Sequence, residues 1–592
     1  MISANNRYRP FFFLALLILP SGYAISQEHY DMNYREEALR NTELIYMFTD
    51  RNIYSVNEHI NFRAFYSRHK DASPEISSRV LYVELIPPSG ISVSKGKYHL
   101  DADGGSGYLS VPPDIPTGNY FLRSYTAWMR NFGPGHFSYI PLKIINPFKT
   151  DLVQTGNNNS LPDEPEPLSY LSSDIICRPE RPMYSPGEEV QIEVIRSDSP
   201  DNFSGGFCLT VVPEELSDNQ SGPLNTFKSF SPDDFTFDHL PEIRGITLSG
   251  GVIRSNDGLI EPRSRLHFSI VGEKPPGYLS AFTDELGRFI LTIPDRAGSL
   301  EFFVSHEKPD DRKTEIRITQ DFVADPVPFR VKPFQLSAKE KKAAERMALN
   351  MQLSSIYGKG VADPQPARPK ETVVPFYGIP DQVINFDDYV MLPTMVEVFE
   401  NIVSDVLVLY SRGEPYIRIG KISRTIAPLI LVDGIPIYDQ KALFSLEPSR
   451  IRRIELITDT YLKGEAIYGG LLILTSLKGD MASIDLPEGS YFFDYQAYHQ
   501  GDRYFDESAG HDLTGEQEMV SDRVPDTRNT VFWTDRLDIL PGKKKVVRFV
   551  APEQSGEYRV IVRGVSSEGN AVAGTGRFRI VVPVKKEELY GW

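Results

Sequence analysis

Short runs in which apolar and polar residues alternate dominate this chain. Ile60, Phe62, Ala64 and Tyr66 alternate around polar Asn61 and Arg63, which predicts a strand with one buried face. Val80, Tyr82 and Glu84 alternate with Leu81, Val83 and Leu85 in the next run. Pro112, Pro113, Pro116 and Gly118 then precede a strand from Asn119 to Tyr125. Farther on, Asp284 and Gly287 bound a turn ahead of Phe289, Leu291 and Ile293. Near the end, Tyr558, Val560 and Val562 alternate before Phe578, Ile580 and Val582. Evenly spaced strands with turn residues between them argue for sandwiches. The expected fold is mainly β, with tandem β-sandwich domains and one small α/β domain.

Helical periodicity is confined to a few places. Ser337 and Glu340 form an S-x-x-E capping pattern ahead of AKEKKAAERMALNMQLSSIYG, which predicts a linker helix over 336–358. Its expected apolar stripe runs through Ala344, Met347, Met351 and Ser354 and is widened by Leu349, Leu353 and Ile356. Between 376 and 482 the pattern becomes α/β. A helix from Pro393-Thr394 carries Val396, Phe399 and Ile402 on one face, and Asp433-Gly434 marks a tight hairpin inside PLILVDGIPIY.

A chain of 592 residues is too long for a single hydrophobic core. Its 45 Pro and 43 Gly fit many turns, and its 30 Tyr and 34 Phe fit half-buried strands. Acidic residues outnumber basic ones 80 to 63, giving a net charge of -17. With no basic tract to offset that charge, nucleic acid is excluded as an expected partner. At the start, Arg7 and Arg9 precede FFFLALLIL (Phe11 to Leu19), and Gly22 and Ala24 follow. This reads as a secretory signal peptide over 1–24, since the apolar run falls short of the about 20 residues that span a bilayer. No later run suits a transmembrane helix, so the mature chain is expected to lack one.

The chain also repeats itself. Arg51, Tyr54, Ser55 and Glu58 recur as Arg181, Tyr184, Ser185 and Glu188, and Ile53, Ile60 and Phe62 as Met183, Val190 and Ile192. Pro186-Gly187 supplies a turn in the second copy, and Val56-Asn57 does so in the first because Asn tolerates positive φ. Two related sandwiches, 40–150 and 170–240, are therefore expected on either side of the linker NNNSLPDEPEP (Asn157 to Pro167). TDRNIYSVNEHINFRAF, RPERPMYSPGEEVQIEV and YFLRSYTAWMRN resemble macroglobulin-like domains of bacterial α2-macroglobulin relatives, as found in exported proteins of Gram-negative, Bacteroidetes-type bacteria. ITLSGGVIRSNDG and FTDELGRFILTIPD, within 241–325, resemble the carboxypeptidase-regulatory-like sandwich, a scaffold without peptidase chemistry. Strands between 520 and 584 read as a C-terminal sandwich of their own.

Four ordered motifs in 376–482 resemble the plug domain of TonB-dependent outer-membrane receptors. They are Thr394 to Phe399, Leu429 to Pro436, Ile451 to Ile457 and Tyr468 to Thr475. The motif positions carried over are Asp433, Gly434, Pro436, Glu455, Tyr468, Gly469 and Gly470. Such a receptor needs a barrel of about 22 strands of roughly ten residues, whereas only 111 residues follow Met481. A complete transporter is therefore not expected, and no TonB-contacting segment is identified.

Candidate chemistry is sparse. Cys177 and Cys208 are the two cysteines, and either a disulfide or two buried thiols fits an exported chain. DADGG (Asp101 to Gly105) begins like a calcium loop but lacks the later ligands, so a solvated turn is expected. Ala551-Pro552-Glu553-Gln554 has Ala where a macroglobulin thioester needs its thiol. No catalytic, cofactor-binding or metal-binding residue is assigned, no cofactor is expected, and the chain is not expected to be an enzyme. The expected function is a non-catalytic binding or scaffold protein of the outer membrane or periplasm, its plug-like module touching envelope proteins, an outer-membrane barrel among them. Alternatives are an accessory component of TonB-dependent uptake and a macroglobulin-like protease inhibitor without a thioester.

Overall fold

The computed structural model describes residues 40–582 apart from 69–71, 73–74, 155–159, 169–174, 198–205, 218–221, 225–237, 255–257, 273–276, 308–313, 358–374, 421–424, 464–465, 487–488, 500–525 and 567–568. The expected signal peptide, 1–24, lies outside the described residues. The fold is mainly β. Among the described residues no helix is long and apolar enough to cross a membrane.

The first sandwich is built from β1 (Glu43–Thr49), β2 (Ile53–Ser55), β3 (His59–Arg68), β4 (Val80–Ile86), β5 (Ser94–His99), β6 (Gly105–Ser110), β7 (Gly118–Tyr125) and β8 (Ser138–Ile145). One sheet runs β1-β3-β6 and the other β2-β8-β7-β4-β5. Ile60, Phe62 and Ala64 are fully buried between them, because period-2 alternation sends every second side chain of β3 to the same face.

The second sandwich starts with β9 (Ile175–Pro179), β10 (Met183–Tyr184), β11 (Glu189–Arg196) and β12 (Phe207–Pro213). It is completed from the far end of the chain by β29 (Phe532–Leu537), β30 (Lys544–Val550), β31 (Gly556–Val565) and β32 (Ala571–Ile580). Its sheets run β9-β11-β30 and β10-β32-β31-β12-β29, the order of the first sandwich strand for strand. This corrects the expectation of separate sandwiches at 170–240 and 520–584. Each half supplies strands to both sheets, neither sheet is complete without the other half, and together they enclose one core that includes Val190, Ile192, Leu209, Val560 and Phe578.

The repeated motif has the same geometry in both copies. Asn57 (φ 64°) and Gly187 (φ 77°) make the turn. Their N–H groups donate to Val111 O at 3.0 Å and to Ala551 O at 3.1 Å. Glu58 and Glu188 accept from the N–H of Ser55 and Ser185 at 2.5 and 2.7 Å. Arg51 and Arg181 lie over the Tyr54 and Tyr184 rings at 4.5 and 4.6 Å. Ala551, just past the end of β30, is thus the residue that receives this turn.

The copies differ at one hairpin. In the first sandwich β4 joins β5 through residues 87–93, whereas in the second the matching connection, β12 to β29, holds residues 214–531. That insertion contains a third sandwich: β13 (Thr247–Arg254), β14 (Arg265–Val271), β15 (Gly277–Phe282), β16 (Arg288–Thr292), β17 (Ser299–His306) and β18 (Thr314–Ile318). Its sheets run β16-β13-β18 and β15-β14-β17-β28, so β28 (Tyr491–Gln496) joins from beyond the 241–325 boundary expected for it. The α/β module is a second insertion, between β18 and β28.

Helix α1 (Ala338–Tyr357) precedes the module. Ser337 and Glu340 close the capping box, with N–H to oxygen distances of 2.7 and 3.3 Å. Its buried residues are Ala343, Met347 and Asn350, while Leu349 and Ile356 are exposed. The expected stripe was rotated by about one position because α1 is wedged between two sandwiches rather than laid on one surface. Met347 and Ala343 meet Ile53 of the first sandwich and Val212 and Leu216 of the second, and Asn350 hydrogen-bonds Asn529 at 2.9 Å.

The first and third sandwiches share one core. Arg123 and Glu84, both fully buried, pair at 2.8 Å, and Tyr125 also donates to Glu84 at 2.8 Å. Arg123 reaches the carbonyls of Asp325 (2.8 Å) and Val323, pinning the segment after β18 to the first sandwich. A buried pair of this kind fixes geometry more than it adds stability.

Candidate functional site: the docked α/β module

The module holds β19 (Gln382–Asn385), α2 (Met395–Asn401), β20 (Val406–Ser411), β21 (Glu414–Ile419), β22 (Leu429–Val432), β23 (Ile435–Pro436), α3 (Gln440–Ser445), β24 (Ile451–Ile457), β25 (Tyr461–Lys463), β26 (Ala466–Tyr468) and β27 (Leu471–Ser476). Its main sheet runs β19-β24-β27-β22-β23, and β20-β21 and β25-β26 form separate ribbons. Thr394 caps α2 by accepting the Glu397 N–H at 3.3 Å. The face that α2 buries is Met395, Val398 and Phe399, with Val396 only half-buried, one step from the expected face.

The motif residues turn out to hold this sheet together. Asp433 (φ 49°) and Gly434 (φ 85°) form the two-residue turn between β22 and β23, a turn that needs positive φ at both positions. The Asp433 carboxylate accepts the Ser476 N–H at 2.8 Å, the Ser476 hydroxyl at 2.6 Å and the Met481 N–H at 2.9 Å. The hairpin is thereby latched to the end of β27. Pro436 lies on the edge strand β23, where a missing N–H costs no ladder bond. Glu455, buried on β24, accepts from the Tyr377 hydroxyl and pairs with Arg453. Gly469 N–H donates to Ala427 O at 3.0 Å. Gly470 has φ 97°, and a Cβ there would lie 2.6 Å from Ile457 O.

One face of the main sheet packs through Ile430, Val432, Ile454 and Leu472 on α2, α3, the β20-β21 ribbon and Phe303 of the third sandwich. The other face, with Leu429, Leu431, Ile473 and Tyr468, meets Tyr278 of the third sandwich. The seam there is polar. Ser269 donates to Gly434 O at 2.6 Å, Ser305 and Tyr438 hydroxyls meet at 3.3 Å, and Tyr278 and Tyr468 hydroxyls meet at 3.1 Å. His267 Nδ1 bonds the Tyr278 hydroxyl. Burial, reinforced by nearby Arg265 and His306, pushes His267 down to about 3, so its ring is neutral. Gly434 and Tyr468 thus face the chain's own third sandwich. Tyr389, Val390 and Met391 before α2, and Leu407, Leu409 and Tyr410 on β20, are exposed, with Val390 at 87%. The Ser and His residues of β14 and β17 that form the seam were missed in the sequence; their polar faces on otherwise apolar strands were the available signal.

Cys177 and Cys208 are free and buried, and no disulfide joins them. Cys177 faces the core of the second sandwich. Cys208 lies between inward-facing Phe207 and Leu209 on β12, so it points out of that core to meet Tyr46, Phe48 and Trp533. Burial raises both thiols, Cys177 to about 12 and Cys208 to about 11, which keeps them protonated. Asp101 to Gly104 is a closed turn in which Asp101 accepts the Asp103 N–H at 2.8 Å. Among the described residues no three His, Cys, Asp or Glu side chains are grouped to hold a metal ion.

No family model matches the chain. No curated protein matches it either. Among solved structures, a Salmonella alpha-2-macroglobulin reacted with methylamine aligns at 10% identity over 91% of this chain and 39% of its own, with a TM-score of 0.22. Escherichia coli alpha-2-macroglobulin activated by porcine elastase aligns at 8% identity over 92% of this chain and 44% of its own, with a TM-score of 0.22. Dimeric latent PorU from Porphyromonas gingivalis aligns at 10% identity over 47% of this chain and 34% of its own, with a TM-score of 0.14. The chain therefore spans less than half the length of the macroglobulins it overlays, and overlaps at these TM-scores carry no argument about function.

Proposed function

We propose that this chain is a non-catalytic binding protein of the bacterial cell envelope whose sandwiches hold the α/β module as a rigid contact surface. The observation that carries the reading is the module's asymmetry. Its sheet is fixed to the third sandwich through Tyr278 and Phe303, while the segment Tyr389, Val390 and Met391 is left in solvent. Contiguous exposed apolar residues mark interaction sites in soluble proteins. The charged, apolar and small-residue pattern of 1–24 supports export. A second reading, an accessory role beside a separately encoded barrel, draws on the four plug-like motifs sharing one module.

The test places a photo-crosslinking residue at Val390 and, as a control, at Phe148, which is 69% exposed just past the end of β8. In intact cells Val390 should capture a defined envelope protein that Phe148 does not, and capture of a barrel protein would favour the accessory role. Identical products from both positions, or none from Val390, would overturn the proposal.

A further inference from the structure

The β20-β21 ribbon has two outer edges, and only one of them is closed. Gly420 N–H donates to Asp405 O at 2.8 Å, and β20 and β21 pair Leu407 with Arg418 and Leu409 with Tyr416. The ladder bonds therefore fall at odd-numbered residues of β20, and the N–H and C=O groups of Val408 and Tyr410 point away from β21. On the other strand the same parity turns Ile417 N–H outward, where Gln440 Oε1 of α3 accepts it at 2.7 Å. Nothing comparable closes β20. Among the described residues, no group bonds the outward backbone of Val408 or Tyr410, and β21 is the one strand beside β20.

Open edges are normally guarded by Lys, Pro, a bulge or short length, because a row of free backbone groups recruits any strand. VLVLY, from Val406 to Tyr410, has none of these guards. Leu407 and Leu409 are 36% and 37% exposed and share the ribbon's outer face, and Tyr410 is 60% exposed. Asp405 stands at one end of the strand and Arg412 just past the other.

We propose that β20 pairs antiparallel with β20 of a second copy of this chain, about a two-fold axis at Val408. The parity of the free edge sets even-numbered residues opposite one another, and centring the axis on Val408 pairs the strand over its full length, with Val406 opposite Tyr410. Leu407 then lies opposite Leu409, so four leucines form one stripe across the new sheet. In this register Asp405 of each copy lies opposite Ser411 of the other and Arg412 opposite Ser404, so opposite charges stand one residue apart at each end. A parallel arrangement would instead put like charges together at both ends. That self-complementarity selects a second copy over an unrelated strand, and the product is a closed dimer with the strand order β21-β20-β20-β21. This inference goes beyond the envelope contact proposed above, does not depend on it, and uses different residues.

Sedimentation of the purified protein tests it. The wild-type chain should run at twice the chain mass. Leu407→Lys and Leu409→Glu, both at exposed positions, should each weaken self-association by about tenfold while circular dichroism stays unchanged. Mixing the two variants should restore the dimer, because the introduced lysine of one copy lies opposite the introduced glutamate of the other. A wild-type chain that stays monomeric up to about 100 µM, or single variants that dimerise like wild type, would overturn the proposal. A mixture no tighter than either variant alone would overturn it as well.

Discussion

Glu242 shows how one side chain can make a domain contact sensitive to pH. It is buried between the first and third sandwiches, where Oε1 accepts the Tyr82 hydroxyl at 3.1 Å and the Thr247 N–H at 2.7 Å. Oε2 has no hydrogen-bond partner among the described residues. Burial raises the carboxyl to about 7 from an ordinary 4.5, and Asp321 adds to the rise while the hydrogen bonds and Lys97 oppose it. The folded state therefore holds its proton more tightly than the unfolded chain does. The stability that follows is fully present below about pH 4.5 and is lost as pH rises to about 7, a swing on the order of 3 kcal/mol. Glu242→Gln, which mimics the protonated acid, should remove this part of the pH dependence. Thermal unfolding of both proteins between pH 4.5 and pH 8 checks it, and parallel profiles would refute the assignment. The Asp433 latch belongs to the same scale. Its turn was legible in the dipeptide Asp433-Gly434, but the carboxylate's partners Ser476 and Met481 lie more than 40 residues away and no local pattern announces them.

At the scale of elements, period and capping were the readable signals. β3, β16 and β31 bury the residues whose alternation marks them, and the capping box of α1 forms as its S-x-x-E spacing implies. What the pattern could not set was the phase of α1 and α2, because the buried face of a helix depends on which neighbours surround it. The docking seam is likewise tertiary. Tyr278 on β15 and Tyr468 on β26 meet by their hydroxyls, and His267 shares the Tyr278 oxygen. Tyr278→Phe should destabilise the docked module by about 1–3 kcal/mol, since it leaves His267 Nδ1 without its partner and takes one partner from the Tyr468 hydroxyl. Adding Tyr468→Phe should cost less than the two single changes summed, by about 1 kcal/mol. Hydrogen exchange of β26 and β27 reads this coupling, and strict additivity would show that the hydroxyls do not interact.

At the scale of the whole molecule the governing feature is nesting: a sandwich interrupted at one hairpin by a second sandwich, itself interrupted by the α/β module. Both insertions leave their host strands adjacent in space, so each host core closes around the gap. If the second sandwich is one unit, a chain ending at residue 530 should lose amide protection across β9, β11 and β12 while β3 and β7 keep theirs. Retained protection of β11 in that truncated chain would show that 175–213 folds without β29 to β32. The tail's origin was partly visible in sequence, since Gly556-Glu557-Tyr558 echoes Gly118-Asn119-Tyr120. Tyr120 and Tyr558 each donate to the carbonyl four residues back, at 2.9 and 2.8 Å.

The amino-acid sequence alone determined the β-rich class, the repeated turn, the capped helix and the hairpin at Asp433, because each depends on contacts within a few residues. Only the tertiary structure decided that two distant halves form one sandwich, that Cys177 faces its core while Cys208 points out of it, and that Gly434 and Tyr468 are buried against a neighbouring domain. These depend on which surfaces meet after collapse. Hydrophobic burial rewards any well-packed pairing of faces regardless of how far apart along the chain they lie.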